Sequence, residues 1–512
     1  MGENLQLSKP LRPLAVLGVY LHSNRRNLEV SAQPSISRAS ISWFEDLEDV
    51  RRYPPQDTGA SAWIFLFGAS LVDAICWSQT RCFGVFREYY FTHPPFQGNS
   101  VIAVVGMLSD GCLQVLTPFL LHYLNSRLRH CKKSMILGLL LCILASLGAA
   151  FSAKTWQLLA TQGVLYGIGG GCLTAGTYVF MAEWFDKRQT FAYGMVMSSS
   201  GIFGSFLPIV YIKALESYGQ KITLIAHGIV VLILGCIALS CIRYRITPTK
   251  TTPKTSHNTT NTSNVNNRYS FIRRTSFYLL GLAVLIQAIV VSPPATYLPS
   301  FATDLGYSAM EGALAMGMFS LATAVGQIGG GIITDLRRSF DLTTLLSTTL
   351  SALAALLLWP EAKTIVAIII FGSLYGLVSG SFSPQRPRFA AAVIMGDAFT
   401  RPPPSTSGSS DPSHGTPSMD PPPSRTDEDK EKILLVMGIY TATRGVGQVI
   451  GGFIGTALVN DNAKVDEGAY GLKKWTPLII FVGGGMVLAC AAGVANSVLV
   501  SVRKRRIVNE IR

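Results

Sequence analysis

Gly326-Gln327-Ile328-Gly329-Gly330-Gly331-Ile332-Ile333 returns, with five of eight positions identical, as Gly447-Gln448-Val449-Ile450-Gly451-Gly452-Phe453-Ile454. Both octets lie inside apolar blocks, where repeated glycine lets helix backbones approach closely in lipid. Counted along the chain, each octet falls in the second block of a group of three. Matching helices at matching places in successive groups of three mark an inverted three-helix repeat packed in a membrane. Independent glycine enrichment of two tightly packed helices is the other reading of the pattern.

Outward from the octets, the apolar blocks number twelve. A span needs about twenty mostly apolar residues to cross roughly 30 Å of hydrocarbon. Such stretches lie near 61–83, 101–123, 134–153, 156–181, 190–212 and 221–242, and again near 276–300, 310–334, 341–359, 363–384, 433–459 and 474–500. The chain of 512 residues is 49% hydrophobic and 14% charged, well below the roughly 25% charge of soluble domains. The sequence therefore predicts an all-α membrane protein of twelve transmembrane helices in two six-helix bundles.

A net charge of +14 raises nucleic-acid binding as a possibility. Lys and Arg cluster beside apolar blocks and not on a soluble domain, so the excess is topological. One side carries Arg127, Arg129, Lys132, Lys133, Lys187, Arg188, Arg337, Arg338 and the run Arg503-Lys504-Arg505-Arg506. The other carries little beyond Lys154, Lys213, Lys221, Lys363 and the 464–474 loop. The basic side is expected to be cytoplasmic, with both termini on it, in the plasma membrane. The nine cysteines are scattered without metal-ligand spacing; no metal and no cofactor is expected.

Composition divides the chain further. Residues 1–56 read as a disordered cytoplasmic tail, 57–242 as the first bundle and 243–275, rich in Thr, Asn and Ser, as a cytoplasmic tether. Residues 276–500 read as the second bundle, interrupted by a disordered cytoplasmic insertion at 385–432 with its Pro402-Pro403-Pro404 and Pro421-Pro422-Pro423 runs. Residues 501–512 read as a basic tail. Segments of this composition cannot bury a core.

Ionisable side chains deep in a span cost on the order of 2.5–3.5 kcal/mol on insertion scales, so each needs a reason. Asp73, Asp110 and Arg444 fall near mid-span in helices 1, 2 and 11. Arg81 lies two turns beyond Asp73, within about a quarter turn of the same face. A guanidinium offers a fixed fork to a carboxylate solute, and a nearby Asp can take up a proton. Arg444, Arg81, Gln327 and Gln448 are thus candidate solute contacts, and Asp73 and Asp110 candidate proton-coupling groups. Arg81 equally suits a snorkelling anchor, and the two acids and Arg444 equally suit structural pairing inside the bundle. His227 suits an interior histidine more than a relay.

The junction Glu183-Trp184-Phe185-Asp186-Lys187-Arg188-Gln189, and Asp335-Leu336-Arg337-Arg338 after helix 8, cluster acid and base at helix ends. Glu183, Asp186, Lys187, Arg188, Asp335 and Arg337 are candidate gating residues; a plain basic anchor at the membrane face is the alternative.

Trp184-Phe185-Asp186-Lys187-Arg188-Gln189-Thr190-Phe191-Ala192-Tyr193-Gly194 resembles the helix 5 signature of the monocarboxylate-porter branch of the major facilitator superfamily, in its fungal form. That signature is an aromatic pair, basic residues, then Leu-Ala-x-Gly. Gln189 replaces its third basic residue and Phe191 its Leu. Phe83-Gly84-Val85-Phe86-Arg87-Glu88-Tyr89-Tyr90 is similar to the same branch, and Asp57-Thr58-Gly59-Ala60-Ser61-Ala62-Trp63 retains part of its helix 1 opening. The resemblance covers roughly residues 57–500. It implies a carrier working by alternating access, a small monocarboxylate as solute and coupling to protons. It also places Arg81 where the branch carries a substrate-linked basic residue. The acid–Arg pair that the branch carries in helix 8 is absent, and Gln327 stands where its Arg is expected.

The expected function is secondary active transport of a small organic anion by a monomer in the bilayer, with no enzymatic activity. An efflux carrier for a neutral or weakly acidic metabolite and a nutrient-sensing receptor that does not transport are the competing expectations.

Overall fold

Lipid offers the backbone no hydrogen-bond partners, so an apolar block satisfies its own amides by closing into a helix. The computed structural model describes residues 54–97, 102–245, 269–337, 341–395, 427–459 and 473–511. The first bundle opens with α1 (Ala60–Arg81), α2 (Ala103–Ser126), α3 (Cys131–Ala150) and α4 (Thr155–Trp184). The next helical stretch, Gln189–Cys241, is broken at Gly219, whose φ of 73° only glycine adopts freely. Tyr211 and His227, eight residues to either side of that glycine, are hydrogen-bonded at 2.7 Å. The chain therefore reverses at Gly219, and the stretch is two antiparallel spans, α5 (189–218) and α6 (220–241).

The second bundle contains α7 (Thr275–Asp304), α8 (Ala309–Arg337), α9 (Asp341–Glu361), α10 (Ile365–Met395), α11 (Asp427–Leu458) and α12 (Thr476–Ile511). Eleven stretches are long and apolar enough to span a bilayer, and the break at Gly219 makes twelve among the described residues. Outward-facing apolar side chains such as Phe119 (70% exposed) and Val366 (62%) would be a liability in water and are suited to lipid. Inside, Phe65, Tyr166, Phe180 and Tyr193 are buried in the first bundle, and Trp359, Phe371, Tyr375 and Trp475 in the second.

The two glycine octets occupy corresponding places. A side chain at Gly326 of α8 would run into the Leu377 carbonyl of α10, and one at Gly451 of α11 into the Ile289 carbonyl of α7. α8 also packs on α5 and α11 on α2, the two long seams between the bundles. Exchanging α7 with α10 and α2 with α5 converts one environment into the other, as an inverted repeat requires.

Three sequence-based boundaries change. The second bundle does not give way to an insertion at 385. A 3-10 turn, Ser383–Gln385, leads into a helix, Arg386–Met395, whose Arg386, Arg388 and Phe389 are buried. Pro384 and Pro387 stand in first turns, where a missing N–H costs nothing, so the proline pair redirects α10 without ending it. Gln385 donates to the Ser381 carbonyl and accepts from Thr344 at 2.6 Å, bracing the redirection. α11 begins at Asp427, so of the expected insertion only 396–426 lies outside the described residues. The expected basic tail, 501–512, is helical through Ile511. The tether's ends are held: Arg243 accepts from Trp184 Nε1 at 3.1 Å, and Phe271 is buried; its middle, 246–268, is outside the described residues. Of the expected tail, only Pro54–Gln56 is described, and Gln56 donates to the Glu183 carbonyl at 3.1 Å.

Candidate solute-binding site

Five charged side chains from α1, α2, α10 and α11 converge at mid-bundle. Asp73, 5% exposed, accepts from Ser199 Oγ of α5 at 3.4 Å. Its charged neighbours are Arg81 and Arg386. Asp110, half-buried, hydrogen-bonds Thr80, and one of its oxygens is buried without a partner. Its charged neighbours are Arg81 and Arg444. Arg81 thus neighbours both acids, with its Nε buried and unpartnered. Neither carboxylate makes a direct ion pair among the described residues.

Arg386 and Arg444 come from the second bundle. Arg386 donates to the Ser383 carbonyl at 3.2 Å, to Thr441 Oγ1 at 3.1 Å and toward Met197 Sδ at 3.5 Å, so it reaches across to α5. Tyr178 of α4 lies beside it. Arg444 donates to Gln287 Oε1 of α7 at 3.0 Å, while Gln287 Nε2 remains buried and unpartnered. Three guanidinium groups thus face two carboxylates, with donors on Arg81 and Gln287 and an acceptor on Asp110 left open. Buried polar groups are normally satisfied, so these open atoms are suited to a polar solute or water.

The structure thus brings Asp73, Asp110, Arg81 and Arg444 together. Gln448 and Gln327 sit elsewhere, in the seams. Gln448 accepts from Gln114 Nε2 across the α2–α11 seam, and Gln327 is buried at α5–α8 with its Oε1 unpartnered. His227 lies inside the first bundle on Tyr211, away from the five charges.

At the basic end the gating candidates divide. Asp335 accepts from the Phe191 amide at 2.7 Å and from Arg388 Nη2 at 2.7 Å, with both side chains buried to less than 10% exposure. Arg388 also donates to Thr190 Oγ1 at 3.0 Å and to the Lys187 carbonyl at 3.2 Å. One carboxylate and one guanidinium of the second bundle therefore clamp the first turn of α5, where free amides favour an anion. The Lys187 and Arg188 side chains are exposed, and their main-chain amides take part in the contacts at this end. Asp57 accepts from the amides of Asp186, Lys187 and Arg188 at 3.0–3.1 Å. Asp57 itself adopts a left-handed backbone, with φ of 58°. Glu183 keeps one oxygen buried and unpartnered near Arg245. The Arg337 side chain lies outside the described residues.

Arg386, Arg388, Gln287 and the capping role of Asp57 were not read from the sequence. A signal existed for the first two. Phe389-Ala390-Ala391-Ala392-Val393-Ile394-Met395 follows them as a purely apolar run of two turns, which a solvated insertion would not carry.

A family model described as Major Facilitator Superfamily matches residues 82–399, more than half of the chain. Monocarboxylate transporter 12 of Mus musculus is 25% identical over 67% of this chain and 74% of its own length. MFS transporter asaE of Aspergillus flavus is 22% identical over 72% of this chain and 80% of its own. Among solved structures, a mutant of the nucleoside transporter NupG superposes with a TM-score of 0.53 at 13% identity, covering 85% of this chain and 99% of the other. At that identity it speaks for the fold alone. With twelve spans, paired octets and a matched family region, the chain belongs to the Major Facilitator Superfamily.

Proposed function

We propose that this chain is a secondary transporter of a small organic anion of the monocarboxylate kind, working by alternating access. The observation that carries the reading is the excess of guanidinium over carboxylate at mid-bundle: Arg81, Arg386 and Arg444 against Asp73 and Asp110. One monoanion balances that set, and its carboxylate can be gripped from both bundles at once. Arg386 and Arg444 approach it from the second bundle and Arg81 from the first. A solute held between two bodies is the geometry in which rocking of the bundles exchanges access. The names of monocarboxylate transporter 12 and of the Aspergillus flavus transporter support the class of activity.

In this reading Asp73 and Asp110 take up a proton with the anion, since protonating either deepens the positive excess that receives it. Gln327 and Gln448 shape the seams flanking the solute. The basic end faces the cytoplasm of a cell whose plasma membrane holds the protein as a monomer. There the clamp of Asp335 and Arg388 on α5 closes the path, and breaking it opens the bundles inward. A ligand panel on the purified protein tests the anion site: small carboxylates should raise the unfolding midpoint, and their uncharged amides should not. Equal stabilisation by acids and amides would remove the charge argument.

A further inference from the structure

Outside the solute path, α7, α9 and α12 part near the basic end to leave an elongated cavity of about 630 Å³. Its walls are apolar, formed by Leu280, Leu342, Leu345, Val494 and Val498 among others. Val498 is 55% exposed and Leu345 42%, so the cavity opens sideways on a flank whose exposed apolar side chains suit lipid. Along α12 it runs from Cys490 to Arg505, about 22 Å at 1.5 Å per residue. One leaflet of hydrocarbon is about 15 Å deep. The groove is therefore as long as one leaflet plus the start of the headgroup layer.

Its two ends differ in chemistry. At the deep end, by Cys490 and Gly493, α9 and α12 touch: Thr349 meets Cys490 at 3.4 Å. The mouth is polar. Asp341, in the first turn of α9, accepts from Ser497 Oγ of α12. Arg505 lies two turns farther along α12, within the run Arg503-Lys504-Arg505-Arg506. Arg505 and Asp341 line the same cavity. An acid and a base thus stand at the mouth of an apolar slot one leaflet long.

We propose that this groove seats one acyl chain of a zwitterionic aminophospholipid, its phosphate against Arg505 and its primary ammonium against Asp341. A purely anionic headgroup would meet Asp341 as a like charge, and a quaternary headgroup has no N–H to give the carboxylate. Phosphatidylethanolamine supplies both partners. The seated lipid ties α9 to α12 on the outer flank of the second bundle, away from the α5–α8 and α2–α11 seams.

The test uses the full chain in detergent micelles, with phosphatidylethanolamine, phosphatidylcholine or phosphatidylglycerol added, read by thermal unfolding and by retained lipid in native mass spectrometry. Phosphatidylethanolamine should raise the midpoint most and stay bound longest. Asp341→Asn keeps the acceptor for Ser497 but removes the charge. It should weaken phosphatidylethanolamine about tenfold, to the level of phosphatidylcholine, which is the loss of one charge-assisted hydrogen bond. Val498→Trp, a lipid-facing change that fills the slot, should erase the shift for all three lipids. Lipid-induced shifts are compared within each variant, so a change in a variant's own midpoint does not enter. Phosphatidylglycerol equalling phosphatidylethanolamine would overturn the headgroup assignment, and a shift that survives Val498→Trp would overturn the groove as the seat.

Discussion

Asp335→Asn isolates the clamp between the bundles. The carboxylate accepts two short hydrogen bonds at 2.7 Å, one from the Phe191 amide and one from Arg388, in a setting less than 10% exposed. Asparagine keeps the size and one acceptor oxygen but removes the charge. Arg388 loses the charged partner while still donating to Thr190 Oγ1 and the Lys187 carbonyl. A hydrogen bond to a charged group contributes about 1.5–3 kcal/mol. A loss of about 2 kcal/mol at the clamp raises the open fraction about thirtyfold. Amide exchange read by mass spectrometry measures this directly, since exchange tracks local opening. Peptides covering the start of α5 from Phe191 and the end of α10 should exchange about thirtyfold faster. The amides of Asp186, Lys187 and Arg188 form an internal control, because they are held by Asp57 and not by Asp335. Unchanged exchange at Phe191, or an equal rise at 186–188 and 191, would refute a local clamp.

Three further outcomes follow from the same geometry. Arg444→Gln should abolish transport while surface expression is retained, since the variant loses the charge that Gln287 orients; undiminished transport would take Arg444 out of the site. Asp73→Asn should flatten the pH dependence of uptake, and an unchanged pH profile would move the proton site elsewhere. Gly451→Val drives a branched side chain into the Ile289 carbonyl of α7. It should lower stability by about 1–3 kcal/mol, the range for overpacking, seen as a lower unfolding midpoint in detergent; an unaltered midpoint would mean that α7 and α11 are not packed that closely.

The spans were legible because the membrane imposes one rule, an apolar run of fixed length, and each run obeyed it. The octets disclosed the internal repeat for a related reason: close helix approach leaves glycine as the one residue that fits, and that need is written locally. The end of α10 was misread because composition was averaged over 385–432. The Pro-rich part dominates that window, and the apolar turns at Phe389–Met395 are lost in it. Arg386 went unseen for the same reason. Site membership depends on which helices neighbour which, and no spacing within one helix carries that. Asp73 and Arg81 could be put on one face of α1, but only the fold brings Arg386 of α10 to them. Gln448 illustrates the converse. Its match to Gln327 was real, yet what it contacts is Gln114 across a seam.

The most direct test of the central claim is uptake of labelled small monocarboxylates into cells lacking carriers of their own, with and without an imposed inward proton gradient. The account predicts saturable uptake that rises with the gradient. Absence of uptake with the protein demonstrably at the surface would contradict anion import and leave the fold without the proposed function.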